Sequence, residues 1–427
     1  MQRKYSVAIV GLGSRGKDTY APMIAELGDR AQLVAIADID PEKVAEVRER
    51  YGIAPENCFD SAEALLAAGK LADVMFICTQ DKQHVPQAMS ALKLGYDLVL
   101  EKPISPSVRE CKAVAALAAE LGRKVIVCHV LRYTPFFGKL YELLNAGGIG
   151  EVVSIQGVEN VGYYHMAHSF VRGNWRREDE TSPMILAKCC HDMDMLLWLT
   201  GKSCKRVSSF GSLHHFRREN APAGAALRCL DGCDAKADCP YDAEKIYVTN
   251  AKTGVASGRT GWPLDVVALH PTMDSIYEAL RHGAYGRCVY HCDNDVVDNQ
   301  VVSMELDGGS TVSYVMSGFT QSISRELKIM GTRGEIVADM GTNLITVKRF
   351  GEADEVIDVR KLAADFSGHG GGDKRMVLEF FDMMDTGVMS ERLTTLERSV
   401  ESHVLALAAE KSRKCGGTPI TVADFEG

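Results

Sequence analysis

The sequence contains no apolar run long enough to cross a bilayer, which takes about 20 consecutive apolar residues. Its first residues, MQRKYSVAIVGLG, enter a strand-like apolar pattern within a few positions, which is not the pattern of a secretion signal. Basic residues are not in excess either: 48 Lys and Arg stand against 57 Asp and Glu, giving a net charge of −9. We therefore expect a cytoplasmic protein that binds neither a membrane nor nucleic acid.

The CxxC spacing of common zinc knuckles is also missing, although the chain has 13 cysteines. Several of them, such as Cys78, Cys111 and Cys128, lie inside apolar patterns typical of buried, reduced thiols. An irregular segment around 217–285 differs, because so long a loop needs its own source of order. Either a structural zinc supplies it or its cysteines are plain loop thiols. The candidate zinc ligands are Cys229, Cys233, Cys239 and Cys292, with Cys288 as the alternative fourth.

Strands and helices alternate through the first part of the chain, which predicts a Rossmann domain at 1–128. The strand YSVAIV leads into Gly11, Gly13 and Gly16 with G-x-G-x-x-G spacing, and a second strand ends in Asp38. These glycines allow a tight turn, close approach of a pyrophosphate, and tight helix packing. A carboxylate at position 38 favours NAD over NADP, although Arg15 would suit a 2′-phosphate. The loop contacts expected for the cofactor are Gly11, Leu12, Gly13, Ser14, Arg15 and Gly16.

Two further predicted strands end in polar residues, CTQDKQH after the fourth and LEKP after the fifth. In a parallel sheet the carboxyl ends of the strands meet at one edge, where ligands bind. We therefore expect this edge to face the same cofactor. Its expected contacts are Thr79, Gln80, His84, Glu101 and Lys102. From residue 129 the pattern changes, which predicts a second domain at 129–427 containing the cysteine-rich insert.

The stretch AKCCHDMDML, 187–196, combines cysteines, a lysine, a histidine and two aspartates. On a helix, Lys188, His191 and Asp192 share one face, as expected for a cleft lining. The adjacent cysteines at 189–190 point about 100° apart, so they are poorly placed to share one metal ion. The stretch is therefore interpreted as half of a catalytic cleft rather than a metal site.

Together these motifs resemble the glucose–fructose oxidoreductase / inositol dehydrogenase (Gfo/Idh/MocA) family. The elements that match are GLGSRG, the aspartate ending the second strand, T-x-x-x-x-H at 79–84, EKP at 101–103 and H-x-x-D at 191–194. The last third matches more loosely, through IMGTRGEI. The resemblance implies a C-terminal α/β domain with an open, mostly antiparallel sheet. In the family this sheet forms the substrate floor and often the oligomer interface, which implies a homo-oligomer, a dimer or tetramer.

The resemblance also implies hydride transfer between NAD and a hydroxyl or keto carbon of a sugar, glycoside or cyclitol. Lys102 matches the family's catalytic lysine. Such transfer needs a base for the hydroxyl proton and a positive charge near the oxygen, and we expect Lys102 and His191 to carry these roles. Many members have an aspartate where Ala187 stands here, and Lys188 is expected to replace it. The expected substrate contacts are Tyr133, Lys188, His191, Asp192 and His369, the last in the loop FSGHGGGDKR.

Two other functions remain open on the same motifs. Some relatives retain NAD and cleave a glycosidic bond by transient oxidation and elimination, and the glycine-rich loop and the aromatic segment 163–175 suit such a hydrolase. A non-catalytic, NAD-bound, sugar-responsive regulator is the other alternative. The presence of both Lys102 and His191 weighs against the regulator.

Overall fold

The computed structural model describes residues 3–427, which form two β-sheets and their covering helices. The strands are β1 Tyr5–Val10, β2 Ala31–Ala37, β3 Cys58–Phe59, β4 Val74–Ile77, β5 Asp97–Leu100, β6 Val125–Val127, β7 Val152–Asn160, β8 Cys204–Ser212, β9 Asn299–Leu306, β10 Thr311–Ser317, β11 Ser324–Gly331, β12 Gly334–Asp339, β13 Leu344–Arg349, β14 Glu355–Asp358 and β15 Ile420–Thr421. The helices are α1 Ala21–Glu26, α2 Pro41–Tyr51, α3 Ala62–Ala67, α4 His84–Lys93, α5 Val108–Glu120, α6 Pro135–Asn145, α7 Tyr163–His165, α8 Met184–Ala187, α9 Cys190–Thr200, α10 Leu264–Val267, α11 Met273–His282, α12 Ser367–Thr386 and α13 Leu396–Lys414.

The first sheet has six parallel strands in the order β3-β2-β1-β4-β5-β6. Its central strands are apolar throughout, as in VMFI of β4, because helices cover both faces of a parallel sheet. Two hydrophobic cores lie on the two sides of this sheet. The order confirms the predicted Rossmann fold.

The second sheet has nine strands in the order β14-β13-β12-β11-β7-β10-β9-β8-β15. Among the described strands, β7 and β10 form its one parallel pair, and the other neighbours are antiparallel. Buried and exposed residues alternate along β9 and β10, so one face packs on the core and the other faces outward. The open, mostly antiparallel sheet is therefore confirmed.

The end of the chain returns to the first sheet. Met376, Phe380 and Phe381 of α12 are fully buried in the core beneath β1, where the Phe381 and Tyr5 rings lie 5.6 Å apart. Helix α13 packs against α5, α9 and β8, and thus against elements of both sheets. The domain limits 1–128 and 129–427 stay a prediction, and α12 completes the first core from the far end of the chain.

The insert is ordered around a buried arginine. Arg172 is 1% exposed, and its guanidinium donates to the carbonyl oxygens of Arg287 and Tyr241, both at 2.7 Å. It also donates to the Cys229 sulfur at 3.6 Å. These bonds join three separate stretches of chain, so the segment has a source of order that involves no metal.

The predicted zinc site is not supported. Within residues 3–427 no group of three or more His, Cys, Asp or Glu side chains is placed to hold a metal ion. The predicted ligands were Cys229, Cys233, Cys239 and Cys292; the first three border a small cavity with Arg172, and Cys292 instead donates to the Cys288 carbonyl at 3.3 Å. A guanidinium already places positive charge beside these thiols, which opposes a second cation. Burial raises the pKa of Cys239, Cys288 and Cys292, which favours the protonated thiols.

Across the described residues, every helix is too short or too polar to cross a membrane.

The insert also lies near the Rossmann domain, at the helix α10. Burial, followed by the charge of Asp18, raises the pKa of Asp265 on α10 to about 6. Its Oδ1 atom is buried and finds no hydrogen-bond partner in the described chain. Because the folded carboxyl binds its proton more tightly than the unfolded one, its ionised form costs stability above pH 6.

We therefore expect Asp265→Asn to raise the free energy of unfolding at pH 7 by about 1–2 kcal/mol, a value reduced for partial exposure. At pH 5 the gain should be smaller, because the native carboxyl is then largely protonated. Urea unfolding at both pH values measures the difference. As a control, Glu352→Gln at an exposed side chain should leave the free energy of unfolding unchanged at both pH values. An equal gain at pH 7 and pH 5 would contradict the assigned cause.

Candidate functional site

The glycine loop after β1 leaves its backbone open at one position. Gly11 has φ +88°, and a Cβ there would lie 2.6 Å from the Cys78 carbonyl carbon. A Cβ on Gly16 would lie 2.0 Å from the carbonyl oxygen of Gly11. A Cβ on Gly13, by contrast, would meet nothing within 4 Å. Two glycines therefore allow the turn to pack, and the third leaves room for a pyrophosphate against the main chain.

The carboxylate of Asp38 lies beside this loop, where it accepts hydrogen bonds from the backbone N–H of Leu12 at 2.5 Å and of Asp40 at 2.9 Å. This is the position expected for a ribose-binding acid at the end of β2. Arg15, which the sequence placed near the same ribose, points elsewhere. Its guanidinium binds Glu101 at 2.6 Å and Asp373 at 2.7 Å. The arrangement therefore favours NAD, because Arg15 is engaged away from a 2′-phosphate.

His84 connects the ends of β4 and β5. Its Nδ1 lies 2.7 Å from the Pro103 carbonyl oxygen and its Nε2 lies 3.0 Å from that of Thr79. The Thr79 hydroxyl in turn donates to Gln87 at 2.7 Å. His84 is fully buried, so this geometry makes it a brace that positions the backbone following Lys102. Gln80, next to Thr79, is exposed at this edge.

Lys102 reaches from the first domain into the second. Its Nζ donates to the Ala187 carbonyl oxygen at 2.9 Å, at the end of α8. Its backbone N–H donates to the Glu101 carboxylate at 3.1 Å, and the Tyr20 hydroxyl donates to the same carboxylate at 2.7 Å. Burial raises the pKa of Glu101, but the charges of Arg15 and Lys102 outweigh it, so the net pKa is lowered and the carboxylate stays ionised.

His191 lies on α9, four residues after the carbonyl that Lys102 binds. It is buried, and its Nδ1 finds no hydrogen-bond partner in residues 3–427. Burial first, then the positive charge of Lys102, holds the pKa of His191 well below its ordinary value. The imidazole is therefore neutral at pH 7, with one ring nitrogen free to bind a ligand hydroxyl.

The loop FSGHGGGDKR brings a further imidazole to this place. Residues 368–371 all have positive φ, including the non-glycine His369 at φ 40°. Its ring lies 6.3 Å from that of His191, and its Nδ1 lies 2.9 Å from the buried Asp373 carboxylate. Because Asp373 also binds Arg15, a chain of polar contacts runs from His369 to Glu101. The His369 side chain is 46% exposed, which leaves it open to a ligand.

The predicted substrate residue Tyr133 does not face the cleft. It is fully buried, and its hydroxyl accepts a hydrogen bond from the Thr394 N–H at 3.1 Å and contacts the Thr394 hydroxyl at 3.2 Å. An aromatic residue after a strand suits a core as well as a sugar platform, and burial favours the core here. The expectation of a substrate contact by Tyr133 is therefore wrong.

Lys188 and Asp192 belong to a buried ion-pair network on the second domain. Lys188 lies 3.2 Å from Glu159, and the Arg325 guanidinium lies 2.9 Å from the same glutamate. Arg325 also binds Asp192 through two hydrogen bonds of 2.8 and 3.2 Å. The charges of this network compensate one another within the protein, and the network forms the floor beneath His191.

The carboxylate of Asp194 is directed at Arg132 rather than at His191. It pairs with the buried Arg132 through bonds of 2.7 and 2.5 Å and so braces α9.

Sequence reasoning missed His129, which follows β6. It is completely buried between the rings of His191 and His403, at 5.7 and 5.6 Å, and neither of its nitrogens has a partner in the described chain. Burial chiefly lowers the pKa of His129 to about 4. The rule that parallel strands end at the ligand edge would have identified it.

Known proteins share this architecture. The chain matches the family model for an oxidoreductase NAD-binding Rossmann fold over residues 5–129 and the model for the same family's C-terminal α/β domain over residues 141–422. The Bacillus subtilis (strain 168) protein YteT, named as an oxidoreductase, is 24% identical over 394 residues, which is 88% of each chain. Inositol 2-dehydrogenase 4 of Saccharopolyspora erythraea is 28% identical over 225 residues, 52% of this chain and 61% of that protein.

A solved structure shares the fold across nearly the whole chain. The WlbA dehydrogenase from Bordetella pertussis, crystallised with NADH and UDP-GlcNAcA, has a TM-score of 0.68 and 17% identity, covering 98% of this chain and 99% of that one. The two family models span both sheets, the glycine loop, Lys102 and His191. The resemblance inferred from the motifs is thereby confirmed: the chain belongs to the Gfo/Idh/MocA family, NAD-binding oxidoreductases that act on CH–OH groups.

Proposed function

We propose that the protein transfers a hydride between NAD and a hydroxyl or keto carbon of a sugar, glycoside or cyclitol. The observation that carries this proposal is that Lys102 extends from the cofactor edge to the end of α8, four residues before His191 on the next helix. Lys102, which can transfer a proton, and His191, which can bind a hydroxyl, are thus brought together beside the Rossmann domain. The inositol dehydrogenase relative and the sugar-nucleotide ligand of WlbA support a polyhydroxylated ring as substrate.

The residues present suit NAD, because the open position at Gly13 accommodates a pyrophosphate and Asp38 a ribose diol. A 2′-phosphate beside the Asp38 carboxylate would meet like charge, so we propose NAD rather than NADP. When bound, NAD accepts or supplies the hydride. The proposed contacts are the loop 11–16, Asp38, Thr79, Gln80, Glu101 and Lys102.

We assign proton exchange with the substrate oxygen to Lys102. In oxidation its neutral amine takes the hydroxyl proton, and in reduction its ammonium returns one to the carbonyl oxygen. His191 is a weak proton acceptor because its pKa is held so low, so it orients the oxygen as a neutral hydrogen-bond partner. Glu101 fixes the backbone of Lys102, and His369 adds an open polar contact.

We also propose a cytoplasmic homo-oligomer. The register of the second sheet aligns Phe210, Val301, Val315 and Val158 in one row across four strands. Phe210 is 59% exposed and Val301 44% exposed. Contiguous exposed apolar side chains of this kind mark interfaces between proteins, and this face suits a second copy of the chain.

A second candidate is an NAD-dependent glycoside hydrolase. The observation that favours it is His369, an exposed imidazole fixed by Asp373 next to His191. After transient oxidation of the ring, elimination needs an acid for the departing glycosidic oxygen, and an exposed imidazole held by a carboxylate suits that task.

One assay separates these functions. The purified protein is incubated with NAD or NADP and a panel of free sugars, cyclitols, methyl glycosides and aryl glycosides, while NADH absorbance and aglycone release are followed. We expect net NADH formation with a free sugar or cyclitol, and a higher rate with NAD than with NADP. Aglycone release without net NADH would establish the hydrolase instead. Tight NAD binding with neither signal would indicate the non-catalytic regulator and overturn the proposal.

A further inference from the structure

A second cavity, of about 300 Å³, opens on the insert. Its walls come from the chain around 172–176 and 282–287, together with Arg228. Four of its lining residues are arginines, and none of the described residues that line it is acidic; the arginines are Arg172, Arg176, Arg228 and Arg287. It shares no lining residue with the glycine loop or with the surroundings of Lys102 and His191.

Carboxylates compensate only two of these arginines. Asp293 binds Arg176 at 2.9 Å and Arg287 at 2.8 Å, just outside the cavity lining. Within the described chain, neither Arg172 nor Arg228 forms an ion pair. They donate instead to neutral acceptors, such as the Tyr241 carbonyl at 2.7 Å and the Leu280 carbonyl at 2.9 Å. Two guanidinium charges therefore remain uncompensated around one cavity.

Each of these two arginines also keeps an unused donor. Nη1 of Arg172 and Nε of Arg228 are buried and have no hydrogen-bond acceptor in residues 3–427. Leaving such a donor unpaired costs roughly 1–3 kcal/mol, and more for a charged group. An acceptor with negative charge in the cavity, which both residues line, would compensate this excess positive charge.

We propose that this cavity is a binding site for an oxyanion, namely the phosphate or carboxylate group of a small molecule. Arginine binds both groups through paired N–H donors. The cavity volume is at the lower end of the range for small-molecule sites, about 300–1,000 Å³, so it has room for more than a bare ion. The ligand class is therefore a small phosphate monoester or carboxylic acid.

The site adjoins the contact between the domains. The wall that contains Arg172 and Asn174 continues directly into Trp175, whose indole N–H donates to Asp81 at 3.1 Å. Asp81 lies just after β4 and also accepts from the Ser182 hydroxyl at 2.6 Å. A ligand in the cavity thus contacts the segment that joins the second domain to the Rossmann domain.

Calorimetric titration of the full chain with inorganic phosphate tests this proposal. Saturating NAD is present throughout, so that the pyrophosphate position of the glycine loop is filled and does not contribute. The test variant is Asn174→Asp, which adds a negative charge at an exposed side chain of the lining. We expect the wild type to bind phosphate at one site and Asn174→Asp to weaken it about tenfold.

Two controls isolate the cause. Asn174→Gln keeps the site neutral, and Gln32→Glu adds the same charge at an exposed position of the Rossmann domain. Both should bind phosphate as the wild type does, and thermal unfolding should show all variants folded. Repeating the titration with a sugar phosphate and a sugar carboxylate shows which group is preferred. No phosphate binding by the wild type, or equal binding by Asn174→Asp, would show that the arginines serve only to hold the insert together.

Discussion

Alanine in place of Lys102 is expected to lower kcat at least about a thousandfold, within the range of general acid–base catalysis, while NAD still binds. The substitution removes the ammonium that reaches from the cofactor edge to the second domain. It leaves the backbone N–H that binds Glu101, so the strand end should keep its shape. Steady-state kinetics with the substrate found in the assay and a fluorescence titration with NAD measure the two properties separately.

The matched variants decide what the lysine does. Lys102→Arg keeps the charge but does not give up its proton at neutral pH, so it should remain nearly inactive if Lys102 transfers the proton. Lys82→Ala removes an exposed lysine from the same sheet edge and should retain full activity. A Lys102→Ala enzyme within tenfold of the wild type would show that another group moves the proton.

Below pH 6 the protein is expected to lose stability steeply. Five imidazoles have pKa values that burial, as the largest cause, lowers: about 4 for His129, about 3 for His168 and His403, and well below the ordinary value for His165 and His191. In the unfolded chain these groups titrate near pH 6.5. Their contribution to stability is therefore fully present above that pH and is lost as the pH falls, because the unfolded chain takes up protons that the folded chain excludes.

The size of this effect follows from the number of groups. Each contributes up to about 1.4 kcal/mol per pH unit, so five together reach about 6 kcal/mol per unit near pH 5, against a typical total stability of about 5–15 kcal/mol. Glu159 and Asp265 have pKa values that are raised, chiefly through burial, and they offset part of this loss of stability. Denaturant unfolding at intervals between pH 7 and pH 5 measures the slope.

A single substitution tests the assignment to buried histidines. His168→Phe removes one of the five and should reduce the slope by about a fifth. His282→Gln, at a side chain that is 73% exposed, should leave the slope unchanged. A stability that is flat between pH 7 and pH 5 would contradict the prediction.

Short sequence motifs predicted the parts of the site whose geometry depends on residues close together in the sequence. The glycine spacing, the acid at the end of β2 and the residues after β5 are short motifs whose geometry follows from the strand and turn that carry them. The sequence predicted a role for His369, but its contact with Asp373, four positions further on, was not predicted. The fold of the second domain came from the family resemblance, because its strand order is set by pairings between distant segments.

The sequence did not show which side chains form contacts when they lie far apart along the chain. Arg15 turns to Asp373, 358 positions away, rather than to the nearby ribose position. The zinc hypothesis is not supported for a similar reason: cysteine spacing was visible, but the arginine among those thiols comes from 57 positions earlier than Cys229. Tyr133 was misplaced because its type suits both a core and a cleft, and only the position of Thr394 decides between them.

The packing of α12 has a consequence for the order in which this protein can form during synthesis. The face of the first sheet beneath β1 is completed by Met376, Phe380 and Phe381, which leave the ribosome long after β6. Until then the nascent nucleotide-binding half exposes part of its apolar interior and cannot reach its final state. The Rossmann domain is thus translated first, but its hydrophobic core can be completed only after α12 has been synthesised.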